Sequence, residues 1–268
     1  MRIGRYSFDD IRHTYVMGIL NVTPDSFSDG GRHNALDAAL FHAEKMIAEG
    51  ADLIDIGGES TRPGYTMISE EEEIRRVAPV VQAVTERFEC PVSVDTYKSK
   101  VARVVLQAGA SLINDIWGLK YDKNMGAVIA EYQAACCLMH NRENAITGNF
   151  KEQLYADLED TVSLAKEAGI REDGILLDPG VGFGKTYEQN LKVIGCLEEL
   201  NRLGYPVLLG TSRKSVIGNT LDLPVDQRVE GTIVTTVFAV QKGCRFVRVH
   251  DIAENVRAIR MTEAIMYG

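Results

Sequence analysis

Eight short, almost wholly apolar runs recur along this 268-residue chain, most of them followed by a longer stretch with helical spacing. The runs are Tyr15–Asn21, Leu53–Gly58, Pro91–Thr96, Leu112–Ile116, Ala135–His140, Ile175–Asp178, Pro206–Gly210 and Phe246–His250. A strand with one wet face alternates apolar and polar residues. A run that is apolar at both parities has to be covered on both sides, as parallel strands under helices are. Between the first two runs Leu36, Ala39, Leu40, Ala43, Met46 and Ile47 form one helical stripe, opened by Asn34 and closed by Gly50. A second stripe, Ile74, Val77, Val81 and Val84, follows Ser69 and Glu72, which are spaced as a capping box. Further helical stretches are Lys98–Gln107, Phe150–Ala168, Tyr187–Arg202, Gln227–Gln241 and Ile252–Met266. No linker or change of composition divides the chain. The pattern predicts an α/β fold, a closed (β/α)8 TIM barrel forming a single domain over 1–268. An open doubly wound sheet is the alternative. It would usually carry a glycine fingerprint after its first strand, where this chain has Asn21-Val22-Thr23-Pro24-Asp25.

Composition narrows the function. The 29 basic and 38 acidic residues leave a net charge of −9, with no basic stripe to neutralise a polyanion, so no nucleic-acid partner is expected. A small anionic substrate needs only a few placed cations and stays open. Five cysteines, odd in number and without a C-x-x-C pair, read as buried reduced thiols. The amino terminus shows no apolar leader and no run is long enough for a bilayer, so the expectation is a cytoplasmic protein with no membrane partner.

Barrel chemistry sits at the carboxyl ends of the strands, and the polar residues collect there. They are Asn21, Asp55 with Glu59 and Thr61-Arg62, Asp95, Asn114-Asp115, His140, Asp178, Thr211 to Lys214, and Arg248 with His250. Each has a plainer reading. Asp178-Pro179-Gly180 is also a turn signal, His140 and His250 also suit a core, Asn114 also suits a turn, Arg213 and Lys214 also suit solvent, and Glu70 to Glu73 suit the first turn of a helix. The joint pattern tips the balance, because buried carboxylates and amides cost several kcal/mol unless paired. Such a ring implies mutual pairing or a polar ligand. The stretch Gly180-Val181-Gly182-Phe183-Gly184-Lys185-Thr186 resembles a phosphate loop, but that motif's first glycine falls on Pro179 and the dinucleotide motif's last on Lys185. Neither motif is present. No H-E-x-x-H or cysteine cluster points to zinc. A hard metal held by Asn21 and phosphate oxygens is compatible with the sequence.

The segments Met17 to Gly31 and Asp55 to Gly64 resemble the two signature segments of the dihydropteroate synthases. Further matches are Ser93 to Thr96, Asn114-Asp115, Leu138 to His140, Asp178 to Lys185, Gly210 to Lys214 and Val247 to Asp251, so the resemblance covers nearly the whole chain. It implies condensation of 6-hydroxymethyl-7,8-dihydropterin diphosphate with 4-aminobenzoate, giving 7,8-dihydropteroate and pyrophosphate in folate synthesis. It also implies a set of roles. Asp95, Asn114, Asp178 and Lys214 take the pterin; Asn21, Thr61, Arg248 and His250 take the diphosphate, with Asn21 on Mg2+. Phe27, Thr61, Arg62, Pro63, Phe183 and Ser212 surround the aminobenzoate. Asp95, Asp178, Lys214, Arg248 and His250 are then the catalytic set for a dissociative reaction. In it the diphosphate departs, the methylene cation is stabilised by the pterin and by Asp95 and Asp178, and the neutral arylamine attacks. Ser28–Gly31 and Thr61–Gly64 are expected to close over the site, and a homodimer is implied. One departure stands out. Asn141–Asn149 lacks the Gln-Gly-x-Pro stretch many members carry, which leaves His140 without an assigned role. A methyltetrahydrofolate–corrinoid methyltransferase and a non-catalytic pterin-binding paralogue are the rival readings.

Overall fold

A computed structural model describes residues 1–22, 32–59 and 67–268. The chain begins with a two-stranded hairpin, β1 (Arg2–Ile3) and β2 (Tyr6–Ser7). The barrel strands follow: β3 (Tyr15–Asn21), β4 (Leu53–Gly57), β5 (Val92–Asp95), β6 (Leu112–Asp115), β7 (Ala135–Met139), β8 (Ile175–Asp178), β9 (Leu208–Leu209) and β10 (Phe246–Val249). Between and after them run α1 (Arg32–Ala48), α2 (Glu70–Arg87), α3 (Ser99–Gln107), α4 (Met125–Glu131), α5 (Phe150–Glu167), α6 (Tyr187–Gly195), α7 (Leu197–Leu200), α8 (Ser215–Leu221), α9 (Val229–Gln241) and α10 (Ile252–Tyr267). The eight strands pair in parallel in the order β8-β7-β6-β5-β4-β3-β10-β9, and a parallel bridge from Leu177 to Val207 joins the two ends. The sheet closes on itself, as the alternation of strand and helix predicts.

Side-chain parity explains the layering. Successive residues of a strand point to opposite faces. One parity set, including Val16, Leu20, Ile54, Ile56, Val92, Val94, Ile113, Leu138, Leu177 and Val247, packs under the helices. The other set fills the barrel interior with Met17, Leu53, Leu112, Ala135, Cys137, Leu176, Leu208 and Phe246. Ile3 and Phe8, from the hairpin region, join this second cluster, and the Arg245 guanidinium donates to the Phe8 carbonyl at 2.8 Å. The lower interior is thus apolar and closed by the amino-terminal segment. Continuing up the same parity set, Leu53 leads to Asp55, Leu112 to Asn114, Leu176 to Asp178 and Phe246 to Arg248. The polar groups stack at the carboxyl ends, above the apolar layer.

Local differences from the sequence reading have local causes. Ser69 accepts from the Glu72 amide, but the Glu72 carboxylate turns to Arg76 at 2.7 Å, so only half of that capping box forms. The complete box is Thr186 with Gln189. The long helix expected over Tyr187–Arg202 breaks at Cys196, whose φ and ψ of −122° and 25° leave the helical region; both pieces still bury apolar residues. Among the described residues, no helix is long and apolar enough to cross a membrane, and all five cysteines are buried thiols.

Candidate active site at the barrel mouth

The floor of the mouth is organised around Asp55, which is fully buried. Its carboxylate accepts from Ser93 Oγ at 2.5 Å, Asn114 Nδ2 at 3.1 Å and Arg248 Nε at 2.6 Å. Arg248 Nη2 reaches across to Asp95 Oδ2 at 3.0 Å, so one guanidinium spans two carboxylates. Burial alone would lower the Arg248 pKa; Asp55 and Asp95 more than reverse this and hold the cation in place. Burial pushes the Asp95 carboxyl up to about 7, against the pull of Arg248 and reinforced by the negative charges of Asp55 and Glu73. Its other oxygen, Oδ1, is buried with no hydrogen-bond partner among the described residues. Such an acceptor costs free energy unless a ligand or water completes it.

Asp178 ends β8 on the opposite arc. Its Oδ1 accepts the Gly180 amide at 2.7 Å, which folds the turn that the Asp-Pro-Gly sequence signals. Burial raises its pKa, and Lys214 opposes the rise. Lys214 caps the start of α8, and its Nζ donates to the Val181 carbonyl at 2.6 Å and lies 4.9 Å from the centre of the Phe183 ring. Enclosure lowers its pKa to about 8, with Asp178 and Asp95 pulling upward and Arg248 downward. Asp95, Asp178, Lys214 and Arg248 therefore act on one another within a single cup. At its rim Ser212 Oγ receives the His250 amide at 3.2 Å and lies 2.9 Å from His250 Nδ1.

Asn114, Asp95, Asp178, Lys214, Ser212, Phe183, Arg248 and His250 all lie at or just beyond the carboxyl ends of the strands, and Asn21 ends β3. Phe27, Thr61, Arg62 and Pro63, with the Ser28–Gly31 and Thr61–Gly64 segments, lie outside the described residues. Arg213 is not part of the cup: its guanidinium pairs with Asp251, Nε to Oδ2 at 3.0 Å. Among the described residues no cluster of three or more His, Cys, Asp or Glu side chains stands ready for a metal. Asn21 offers a single amide oxygen, a donor set that suits Mg2+ only when substrate phosphates complete the shell.

Three groups at this end of the barrel escaped sequence reasoning. Asp55 was legible as a polar strand residue, but its place as the hub was not. Lys98 donates to Glu59 Oε2 and Glu73 Oε2, each at 2.7 Å, and to the Ile68 carbonyl at 2.9 Å, while Tyr97 donates to Glu59 Oε1 at 2.6 Å. This buried cluster pins Ile68, at the foot of α2, against the barrel wall. Lys185 and Asp157 sandwich His140: Lys185 Nζ lies 2.8 Å from Nδ1, and Asp157 Oδ2 lies 2.8 Å from Nε2. A histidine, an aspartate and a lysine this far apart in sequence carry no signal that they meet.

Comparison with known proteins agrees with this geometry. Residues 17–250 match the family described as pterin binding enzyme. The chain is 57% identical over 267 residues to a dihydropteroate synthase of Clostridium beijerinckii, covering 99% of each. It is similar to the crystal structure of a Clostridium difficile dihydropteroate synthase in the presence of pteroic acid, with a TM-score of 0.95, 50% identity, and 98% and 100% of the two chains covered. A Xanthomonas albilineans dihydropteroate synthase with 4-aminobenzoic acid gives a TM-score of 0.91 at 40% identity, covering 96% of this chain and 95% of that one. With two carboxylates and a lysine gathered in the mouth of such a barrel, the chain belongs to the dihydropteroate synthase family of pterin-binding enzymes.

Proposed function

We propose that this chain joins 6-hydroxymethyl-7,8-dihydropterin diphosphate to 4-aminobenzoate, and that its residues divide the work as follows. The observation that carries this reading is the buried acceptor edge, Asp95 Oδ1 together with the Asp178 carboxylate, facing the same cup as Lys214. A pterin's pyrimidine edge offers adjacent N–H donors, and an ionised carboxylate accepts two of them in a fork. Asp178 takes that fork, Asp95 and Asn114 complete the edge, and Lys214 donates to ring oxygen and nitrogen. Phe183 and Ser212 line the aminobenzoate, with Phe27, Thr61, Arg62 and Pro63. Arg248, His250, Asn21 and Thr61 receive the diphosphate. Mg2+, held by Asn21 and phosphate oxygens, would supply charge neutralisation on the leaving group when bound. The negative floor of Asp95 and Asp178 stabilises positive charge at the methylene carbon as the diphosphate departs. The neutral arylamine nitrogen forms the new C–N bond, and the acidic proton of the resulting ammonium passes to water or to the departed pyrophosphate, so no strong base is needed.

The test is release of pyrophosphate from the pterin diphosphate with Mg2+, with and without 4-aminobenzoate. Amine-dependent product supports the reading; tight pterin binding without turnover supports the non-catalytic paralogue instead. Similarity across 99% of both chains to a dihydropteroate synthase favours this chemistry over corrinoid methyl transfer. We further propose that residues 1–268 work as one barrel domain in the reducing cytoplasm, where the five buried thiols stay reduced. A homodimer is proposed through α9 and α10, which pack together and expose Val234, Phe238, Met261 and Ile265 at helical spacing, an apolar face that a second copy would cover. Sedimentation at micromolar concentration reads that assembly, and a monomer there would contradict it.

The floor also sets a pH window. In the free cup Asp95 keeps its proton up to about pH 7, whereas N–H donors favour the carboxylate. Below that pH pterin binding therefore releases a proton, and affinity rises as the pH rises. Lys214 loses its charge above about pH 8, and affinity then falls. Calorimetry of pteroic acid in buffers of different ionisation enthalpy is expected to give a maximum between these values, with proton release on the acid side. A flat profile without proton release would contradict the roles of both residues.

A further inference from the structure

The Gly180-Val181-Gly182-Phe183-Gly184-Lys185 stretch looks like a phosphate loop, and the structure gives it a different use. In a phosphate loop the lysine reaches out to the ligand. Here Lys185 turns inward, and its Nζ donates to the Gly180 carbonyl at 2.9 Å and the Phe183 carbonyl at 3.1 Å, and to His140 Nδ1 at 2.8 Å. With Nδ1 accepting, the His140 proton sits on Nε2 and is donated to Asp157 Oδ2 at 2.8 Å. The glycines are required by this wrapping. At Gly180, φ is +70° and a Cβ would stand 1.9 Å from the His140 carbonyl oxygen; at Gly184, φ is +52° and a Cβ would stand 2.2 Å from the Arg142 carbonyl oxygen. The turn thus lies directly on residues 140–142, with the Lys185 amine inside it.

We propose that Lys185 is a positioning residue for pterin recognition, the internal peg around which residues 180–184 wind so that the Val181 carbonyl and the Phe183 ring hold Lys214 in place. The Lys214 ammonium has that carbonyl at 2.6 Å and that ring at 4.9 Å, and the stem of Lys214 runs 3.3 Å from where a Gly182 Cβ would stand. From this side the Lys214 head is held by the two residues between the glycines, and Asp178 at the foot of the turn adds its charge. Lys185 itself stays inside the turn and acts through Lys214. The inference rests on the assignment of Lys214 to the pterin.

The test is a double-mutant cycle on the full-length enzyme, read by calorimetry with pteroic acid and by steady-state kinetics. Lys185→Met is expected to weaken pteroic acid about tenfold and to raise KM for the pterin diphosphate by a similar factor, with a smaller change in kcat. Lys214→Met weakens binding on its own, and the double variant is expected to bind no worse than Lys214→Met. Unchanged affinity with only a lower Tm would reduce Lys185 to a fold stabiliser and overturn the proposal, as would losses that multiply. If Lys185→Met does not fold, His140→Phe keeps the ring volume, removes the Nδ1 acceptor, and is read by the same cycle with the same two overturning results. Failure of the wild-type enzyme to bind pteroic acid would overturn the pterin assignment itself, a result distinct from either.

Discussion

Asp178→Ala is expected to abolish measurable pterin binding while leaving the barrel folded. The carboxylate accepts the Gly180 amide through Oδ1, and Lys214 is its main cationic neighbour. Each carboxylate oxygen has two acceptor sites, so the bond to Gly180 still leaves both oxygens able to receive a pterin N–H. Losing two charge-assisted bonds removes roughly 3–6 kcal/mol, at about 1.5–3 each, which is on the order of a hundredfold in affinity or more. Stability moves little, because a carboxylate whose pKa burial has raised is itself unfavourable in the empty cup. Asp178→Asn separates shape from charge: it keeps one acceptor and puts an amide donor against the ring's own donor, so an intermediate loss is expected. Calorimetry with pteroic acid checks both variants. An unchanged affinity in Asp178→Ala would remove Asp178 from the pterin edge.

Arg248→Met is expected to cost both stability and activity. Resemblance assigns Arg248 to the diphosphate, and the structure adds that its Nε and Nη2 are held by Asp55 and Asp95. Removing the cation leaves two buried carboxylates facing each other, a loss of about 3–5 kcal/mol for a broken buried pair. At about 2–4 °C per kcal/mol for a chain of this size class, Tm is expected to fall by roughly 10 °C. The sign with pH follows from the carboxyls. Without the guanidinium the Asp95 carboxyl, already raised by burial, rises further above the unfolded value of about 3.9. The penalty is therefore smaller in acid, where Asp95 stays protonated, and grows as the pH rises through its folded value. Asp55→Asn in the Arg248→Met background removes one of the charges and is expected to recover part of the loss. Thermal melts across pH check this, and a penalty independent of pH would show that Arg248 contributes packing rather than charge.

The dual use of Arg248 shows where reading from the chain alone stops. Eight runs apolar at both parities require strands covered on two faces, and alternation with helices leaves closure into a barrel as the economical arrangement. The same parity carries polar residues to one end: Asp55 two residues beyond Leu53, Asp178 two beyond Leu176, Arg248 two beyond Phe246. Fold and mouth were legible for that reason, since both follow from periodicity within single strands. Short-range turn chemistry was legible too, as at Asp178 and Gly180.

Contacts across the barrel were not. That Arg248 bridges Asp55 and Asp95, that Lys98 locks Glu59 to Glu73, and that Lys185 turns inward to His140 depend on which strand ends become neighbours and how far apart they stand. A lone charged residue reads the same whether it ends in water or in a buried network, because its partner lies tens to hundreds of positions away and no local period records the pairing. Sequence by itself determined the closed barrel and the end that carries the chemistry, through side-chain alternation and the cost of leaving apolar surface wet. Only the tertiary structure decided which charges neutralise one another and which acceptor is left for a ligand, because electrostatic pairing depends on distance in space.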